Sequence, residues 1–206
     1  SMFDLRGIDQ SGLGPSAIKS LEECHRAGAK GVGELHDKGR GIFSGQNSGE
    51  PTPAQKRMWD MPLNGGPAYT RDPIPPNPKA PSGPHPDDPR LDPLWDKAGQ
   101  LGMPISFHTS DPIWSYKPMD NTNDGLMNGW TWKISLEPGT YDHDQLVNSL
   151  ENAVKKHPGT QFIACHLFNL DYDLNRLGQM LDRNPDLDAG ISALFSERAT
   201  DPQFMH

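Results

Sequence analysis

Cysteine is almost missing from this sequence. Its 206 residues include two, Cys24 and Cys165, too few for a disulfide framework. Cys165 falls inside the apolar run QFIACH and reads as a small buried hydrophobe, so a reducing, cytoplasmic compartment is expected. Long apolar runs are missing too. None approaches the ~20 residues that span a bilayer, and the N-terminus lacks the basic-then-apolar order of a signal peptide. Ser1-Met2 reads as a tag remnant before a start methionine. There is no basic excess: 19 Lys and Arg stand against 27 Asp and Glu, a net charge of -8. That balance argues against a nucleic-acid backbone or an anionic membrane as partner, since both reward cations.

Proline, by contrast, is plentiful and unevenly placed. Thirteen of the 21 prolines lie between Pro51 and Pro93, and with them the mean hydropathy falls to -0.72. The length suits one domain with a substantial core, so residues 1–206 are expected to form a single domain with a Pro-rich loop insertion at about 39–89. Outside that stretch, helix and strand alternate. Ala17, Leu21, Cys24 and Gly28 form a helical stripe, followed by a strand over about residues 30–36. Asp92 suits an N-cap and Pro93 a first helical position, with Leu94, Trp95, Ala98 and Leu101 as the apolar face. The strand ISFH follows. A second loop, residues 110–141, carries Trp114, Tyr116, Trp130 and Trp132, which either line a substrate pocket or pin the loop. A helix near 143–157, the strand QFIACH, a helix near 171–183 and a strand over about 187–192 complete the series.

Repeated helix-then-strand units predict a parallel sheet covered by helices. The helix-to-strand joints are short and the long connections follow strands, as in a (β/α)₈ barrel whose loops at the C-terminal face build the site. A doubly wound open sheet is the alternative.

Two strands end in histidine: MPISFHTSDP and QFIACHLFN. Strict alternation places His108 on the face of Ser106, and His166 on the face of Ala164 and Phe162. In GVGELH it places Glu34 and His36 on the face of Val32. A carboxylate inside a strand is costly unless paired or bound to metal, and imidazole with carboxylate suits zinc, manganese or non-haem iron. Glu34, His108 and His166 are therefore the candidate metal ligands, for a divalent ion with zinc expected first and manganese second. His36 sits at the rim, beside the site or on plain surface. His85 reads as a loop residue, and His25, His143 and His157 as solvated.

HPDDPRLDPLWDKAGQLGMPISFHT, followed by a strand ending FIACH, resembles the amidohydrolase-related metal-dependent hydrolases, (β/α)₈ enzymes that include decarboxylases of aromatic acids. The resemblance aligns GVGELHDKG with the family's fourth strand, the strands ending in His108 and His166 with the fifth and sixth, and LDAGISA with the seventh. It thus implies a TIM-type barrel of which this chain covers strands 4 to 7. By the same resemblance His108 and His166 are metal ligands, with Glu34 the fourth-strand candidate. The family's His-x-His pair is absent, as is its eighth-strand aspartate, and Gly190 stands where relatives often place an aspartate. The chain is accordingly expected to be an internal piece of a larger enzyme, with open sheet edges near Val32 and Ile191 that favour a homo-oligomer. The function implied is a metal-dependent hydrolase of a small-molecule substrate: an organic acid, ester or amide. Decarboxylation or hydration on the same ion is the alternative, and a metal-free barrel scaffold the rival from outside the enzymes.

Overall fold

The structure, a computed structural model, describes residues 2–3, 15–42, 83–116 and 141–192. The elements are β1 (Met2–Phe3), α1 (Pro15–Arg26), β2 (Gly31–Asp37), α2 (Asp92–Gln100), β3 (Ile105–Thr109), α3 (His143–Lys156), β4 (Phe162–Ala164), α4 (Leu174–Arg183) and β5 (Leu187–Ala189). The five strands form one parallel sheet in the order β1-β2-β3-β4-β5. Among the described residues that order runs one way, without the reversal that marks a doubly wound sheet.

Local chemistry explains the element ends. Asp142 and Gln145 form a reciprocal capping box at the start of α3, and Asp173 caps α4, each satisfying backbone donors that a helix start leaves open. Asp92 is not the cap expected at α2. Asp88 accepts from Arg90 N–H and starts a short 3₁₀ turn, Pro89–Leu91, that leads into the helix. The core lies between helices and sheet, around Trp95, Phe107 and Phe162, whose rings meet at 5.6 to 6.3 Å between centroids. The Trp95 indole donates to the Pro86 carbonyl at 2.9 Å, so burying this large ring strands no donor.

Two histidines expected to be solvated are buried. His157 bonds Asp96 through Nδ1 and Asp92 through Nε2, at 2.7 and 3.1 Å, tying α3 to α2. His143 sends Nε2 to the Asn169 carbonyl at 3.0 Å. The edge expected near Val32 is also corrected, because Val32 pairs with Phe3 of β1. Residues 43–82 and 117–140 lie outside the described residues, and with them Trp59, Tyr69, Trp130, Trp132 and the helical turn expected near 53–60; so does the chain after residue 192. The roots of the first long connection do show. Ile42 N–H donates to the Pro84 carbonyl at 2.7 Å and Gly83 N–H to the Arg40 carbonyl at 2.8 Å, so both roots sit together just past the C-terminal end of β2.

Glu151 on α3 carries a prediction. Burial alone would raise its carboxyl, but the Arg183 guanidinium, the Lys155 ammonium and the Asn184 amide hold it down to about 2. A carboxyl depressed in the folded state contributes its full stability above the unfolded value of 4.5, and loses it as pH falls toward about 2. Glu151→Gln should therefore lower the urea midpoint at neutral pH, and the gap to the parent should close over that acid window. Parallel curves from neutral pH to pH ~2.5 would contradict the assignment.

Candidate metal centre

Glu34 reaches the site through an irregularity in β2. Val32 pairs with Ile105 and Leu35 with Phe107, so three steps on β2 match two on β3. One extra residue in a strand reverses the side-chain alternation beyond it. Val32 and Leu35 consequently both face the core, while Glu34 and His36 face the other way. The expected sharing of a face by Val32 and Glu34 is thus overturned. Gly33 permits the bulge: its φ is +143°, and a Cβ there would stand 2.7 Å from Ser106 Cβ and 2.9 Å from the Ser106 carbonyl.

His108 needs no such device. Along β3, Ile105, Phe107 and Thr109 are buried while Ser106 and His108 point to the opposite face, as alternation requires. His166 differs again. Strand β4 stops at Ala164, and its core-facing residues are Phe162 and Ala164, so His166 is not their continuation. It stands on a left-handed turn in which His166, Leu167, Phe168 and Asn169 have φ of 56, 52, 64 and 51°. Non-glycine residues in this region cost roughly 1–2 kcal/mol each and persist only where surroundings impose them. Here Leu167 N–H donates to the Gly190 carbonyl at 2.8 Å, and the Asn169 amide donates to the carbonyls of Thr109 and Ser110 at 3.1 and 3.3 Å. Phe168 is wholly buried. Core packing and these bonds hold the turn, and the turn swings His166 toward β3.

The three side chains converge. His108 Nδ1 lies 3.1 Å from Glu34 Oε1 and 3.0 Å from His166 Nε2, and His166 Nε2 lies 3.4 Å from Glu34 Oε1. Donors about 2.1 Å from one ion at angles of roughly 90–110° stand roughly 3.0 to 3.4 Å apart. The triangle therefore has the size of half a coordination shell, and the three atoms are the group among the described residues that could hold a metal.

The far nitrogen of His166 decides what its near one offers. His166 Nδ1 faces the Ser192 carbonyl at 2.7 Å, an acceptor, so that nitrogen carries the proton and Nε2 is bare. His108 stands between two carboxylates, with Nδ1 3.1 Å from Glu34 Oε1 and Nε2 3.5 Å from Asp111 Oδ1, and its Nδ1 also faces His166 Nε2 at 3.0 Å. Without an ion a proton on His108 Nδ1 serves the two shorter contacts. A cation that displaces that proton would meet two imidazole nitrogens and a carboxylate oxygen.

Around it, Asp111 is 4% exposed and receives the Lys38 ammonium at 2.8 Å. Burial would raise its carboxyl, but the His108 and Lys38 hydrogen bonds outweigh that and hold it low. Burial pushes the Cys165 thiol up, although the Ser106 hydroxyl 3.1 Å away pulls the other way, so the sulfur stays a thiol and a poor ligand. His36 Nε2 is 3.9 Å from Glu34 Oε1.

No protein-family model and no curated protein sequence matches this chain. Among solved structures it is similar to 2,6-dihydroxybenzoate decarboxylase from Rhizobium, at 15% identity and a TM-score of 0.43, over 94% of this chain and 52% of that one. A 2,6-dihydroxybenzoate decarboxylase complexed with 2,6-dihydroxybenzoate gives the same values. The chain spans about half the length of these proteins.

Asp37, Asp111 and His85 were not singled out by the sequence as parts of the site. Asp37 is fully buried at the end of β2, accepting from Gly39 and Gly41 N–H at 3.0 and 2.9 Å and bonding His85 Nδ1 at 2.7 Å. His85 in turn stacks on Tyr141 at 3.5 Å. These residues anchor the loop roots beside the triangle. The TSDP that follows His108 was the available signal for Asp111, since a polar turn at a strand end brings its carboxylate back onto the preceding side chains.

Proposed function

We propose that Glu34, His108 and His166 hold one divalent cation, and that this chain is part of a metal-dependent enzyme acting on a small organic acid. The observation that carries the reading is the convergence of His108 Nδ1, His166 Nε2 and Glu34 Oε1 within 3.0 to 3.4 Å of one another. The donor set of two nitrogens and one oxygen suits zinc first and manganese second. A bound divalent cation would supply Lewis-acid polarisation of a substrate oxygen. The one-way strand order supports reading the sheet as part of a (β/α)₈ barrel, with the site at the C-terminal ends of its strands.

Charge narrows the substrate. One carboxylate and two neutral imidazoles against a divalent ion leave about one positive charge at the centre, which favours an anionic substrate over a neutral ester or amide. Glu34, His108 and His166 would hold the ion, and His36, with Nε2 3.9 Å from Glu34 Oε1, stands beside them. Hydrolysis remains chemically open to such a centre. The same charge argument favours decarboxylation, since a carboxylate substrate brings the group that the ion binds and the reaction removes.

Zinc and manganese uptake tests the reading. Dialysed protein should take up about one ion per chain, competed by a chromogenic chelator. An ordered protein that takes up neither at ~100 μM would favour the scaffold reading. For protein that does bind, CO₂ release from aromatic carboxylates against acid release from esters and amides separates the two reactions.

A further inference from the structure

His143 opens α3 and is no candidate ligand, yet its ring bonds the turn that carries His166. The capping box of Asp142 and Gln145 fixes the first turn of α3, and with it the place of the ring. The residue is 2% exposed, and the rings of Tyr116 and Tyr172 meet it edge-on at 5.7 and 5.6 Å between centroids. Burial lowers the imidazole below the usual histidine range, against the opposing pull of its bond to Asn169, so at neutral pH the ring carries one proton. Its Nε2 stands 3.0 Å from the Asn169 carbonyl, which only accepts, so the proton sits there. Nδ1 is buried and meets no hydrogen-bond partner among the described residues. An unpaired buried nitrogen costs stability, and a phenylalanine would fill the same slot without it. What the imidazole adds is the bond to Asn169.

Asn169 closes the left-handed run that begins at His166. Its side-chain amide donates to the carbonyls of Thr109 and Ser110, directly after His108. The turn is thus held from two sides, by the amide to the end of β3 and by the carbonyl to α3. We infer that His143 is a positioning residue for His166: its Nε2–H pins Asn169, and a pinned Asn169 fixes the turn that sets His166 Nε2 3.0 Å from His108 Nδ1. The inference rests on the metal reading for its purpose, but the pinned turn belongs to the protein with or without an ion. Leu167 reports on it. Its N–H donates to the Gly190 carbonyl at 2.8 Å from within the turn, whereas Phe162 N–H donates to the Asp186 carbonyl at 2.8 Å where β4 begins.

Amide hydrogen exchange of the ¹⁵N-labelled full chain compares the two amides, and imidazole ¹⁵N shifts, assigned through His143→Gln, locate the proton. In the metal-free parent, His143 should show a protonated Nε2. His143→Phe keeps the slot filled and removes the donor; protection at Leu167 should fall about 10–100-fold while protection at Phe162 stays unchanged. His143→Gln offers an amide N–H near the place of Nε2 and should restore most of the loss. Zinc binding should follow the same order, about tenfold weaker in His143→Phe and within a few-fold of the parent in His143→Gln. A parent with the proton on Nδ1 overturns the inference, even if His143→Phe fails to fold. So does unchanged Leu167 protection in His143→Phe, or an equal fall at Leu167 and Phe162, which reads a loss of overall stability. A His143→Gln protein as unprotected as His143→Phe counts against it in the same way, as does a loosened Leu167 with unchanged zinc affinity. A parent with the expected proton and exchange pattern that never binds zinc refutes the metal reading and leaves the pinned turn standing.

Discussion

Gly33→Ala is expected to destabilise the protein by about 2–5 kcal/mol, read as a fall in the denaturant midpoint. Two costs combine. The backbone at Gly33 has φ +143°, which side-chain-bearing residues rarely adopt, and the new Cβ would stand 2.7 Å from Ser106 Cβ and 2.9 Å from the Ser106 carbonyl. The clash is with backbone as well as side chain, so no rotamer change relieves it. The site should suffer beyond the stability loss, because Glu34 is the next residue and the bulge is what turns it away from the core. Ser106→Gly removes one of the two contacts. The double variant Gly33→Ala/Ser106→Gly should recover part of the midpoint and not all of it. An unchanged midpoint in the single variant would show that β2 tolerates a side chain there, and the account of how Glu34 reaches the site would fall with it.

That bulge also marks where the sequence was legible and where it was not. The helices and the strands ending near His36, His108 and His166 follow from periodicity and from Gly and Pro at the joints. His108 lies on the face that alternation assigns it, because β3 is regular. Glu34 also lies on the site face, but alternation had grouped it with Val32, which is in the core. A bulge leaves only a faint trace, here one glycine in GVGELH, and a glycine in a strand is equally compatible with no irregularity. His166 is harder still. CHLFN contains no glycine or proline, and its four left-handed residues are imposed by contacts from β3, β5 and α3 that are distant in sequence. Tertiary contacts override local preference there, and no local pattern reports it. The burial of His143 and His157 escaped for a related reason: amphipathic helix patterns count histidine as polar, yet each of these rings meets an acceptor inside.

The largest effect on ligand binding is expected from His108→Ala. With the ion absent, His108 Nδ1 lies 3.0 Å from His166 Nε2 and 3.1 Å from Glu34 Oε1, contacts that one proton on Nδ1 turns into hydrogen bonds. Removing the ring deletes those bonds and the packing of a side chain only 18% exposed. The metal-free variant should therefore be less stable than the metal-free parent by about 1–3 kcal/mol. Zinc should widen the gap. An ion at 100 times its dissociation constant stabilises a protein that binds it only when folded by about 2.7 kcal/mol, and the parent should show that gain. The variant, with an oxygen and one nitrogen left, should show almost none at the same zinc concentration. Equal zinc-dependent shifts in parent and variant would place the ion elsewhere.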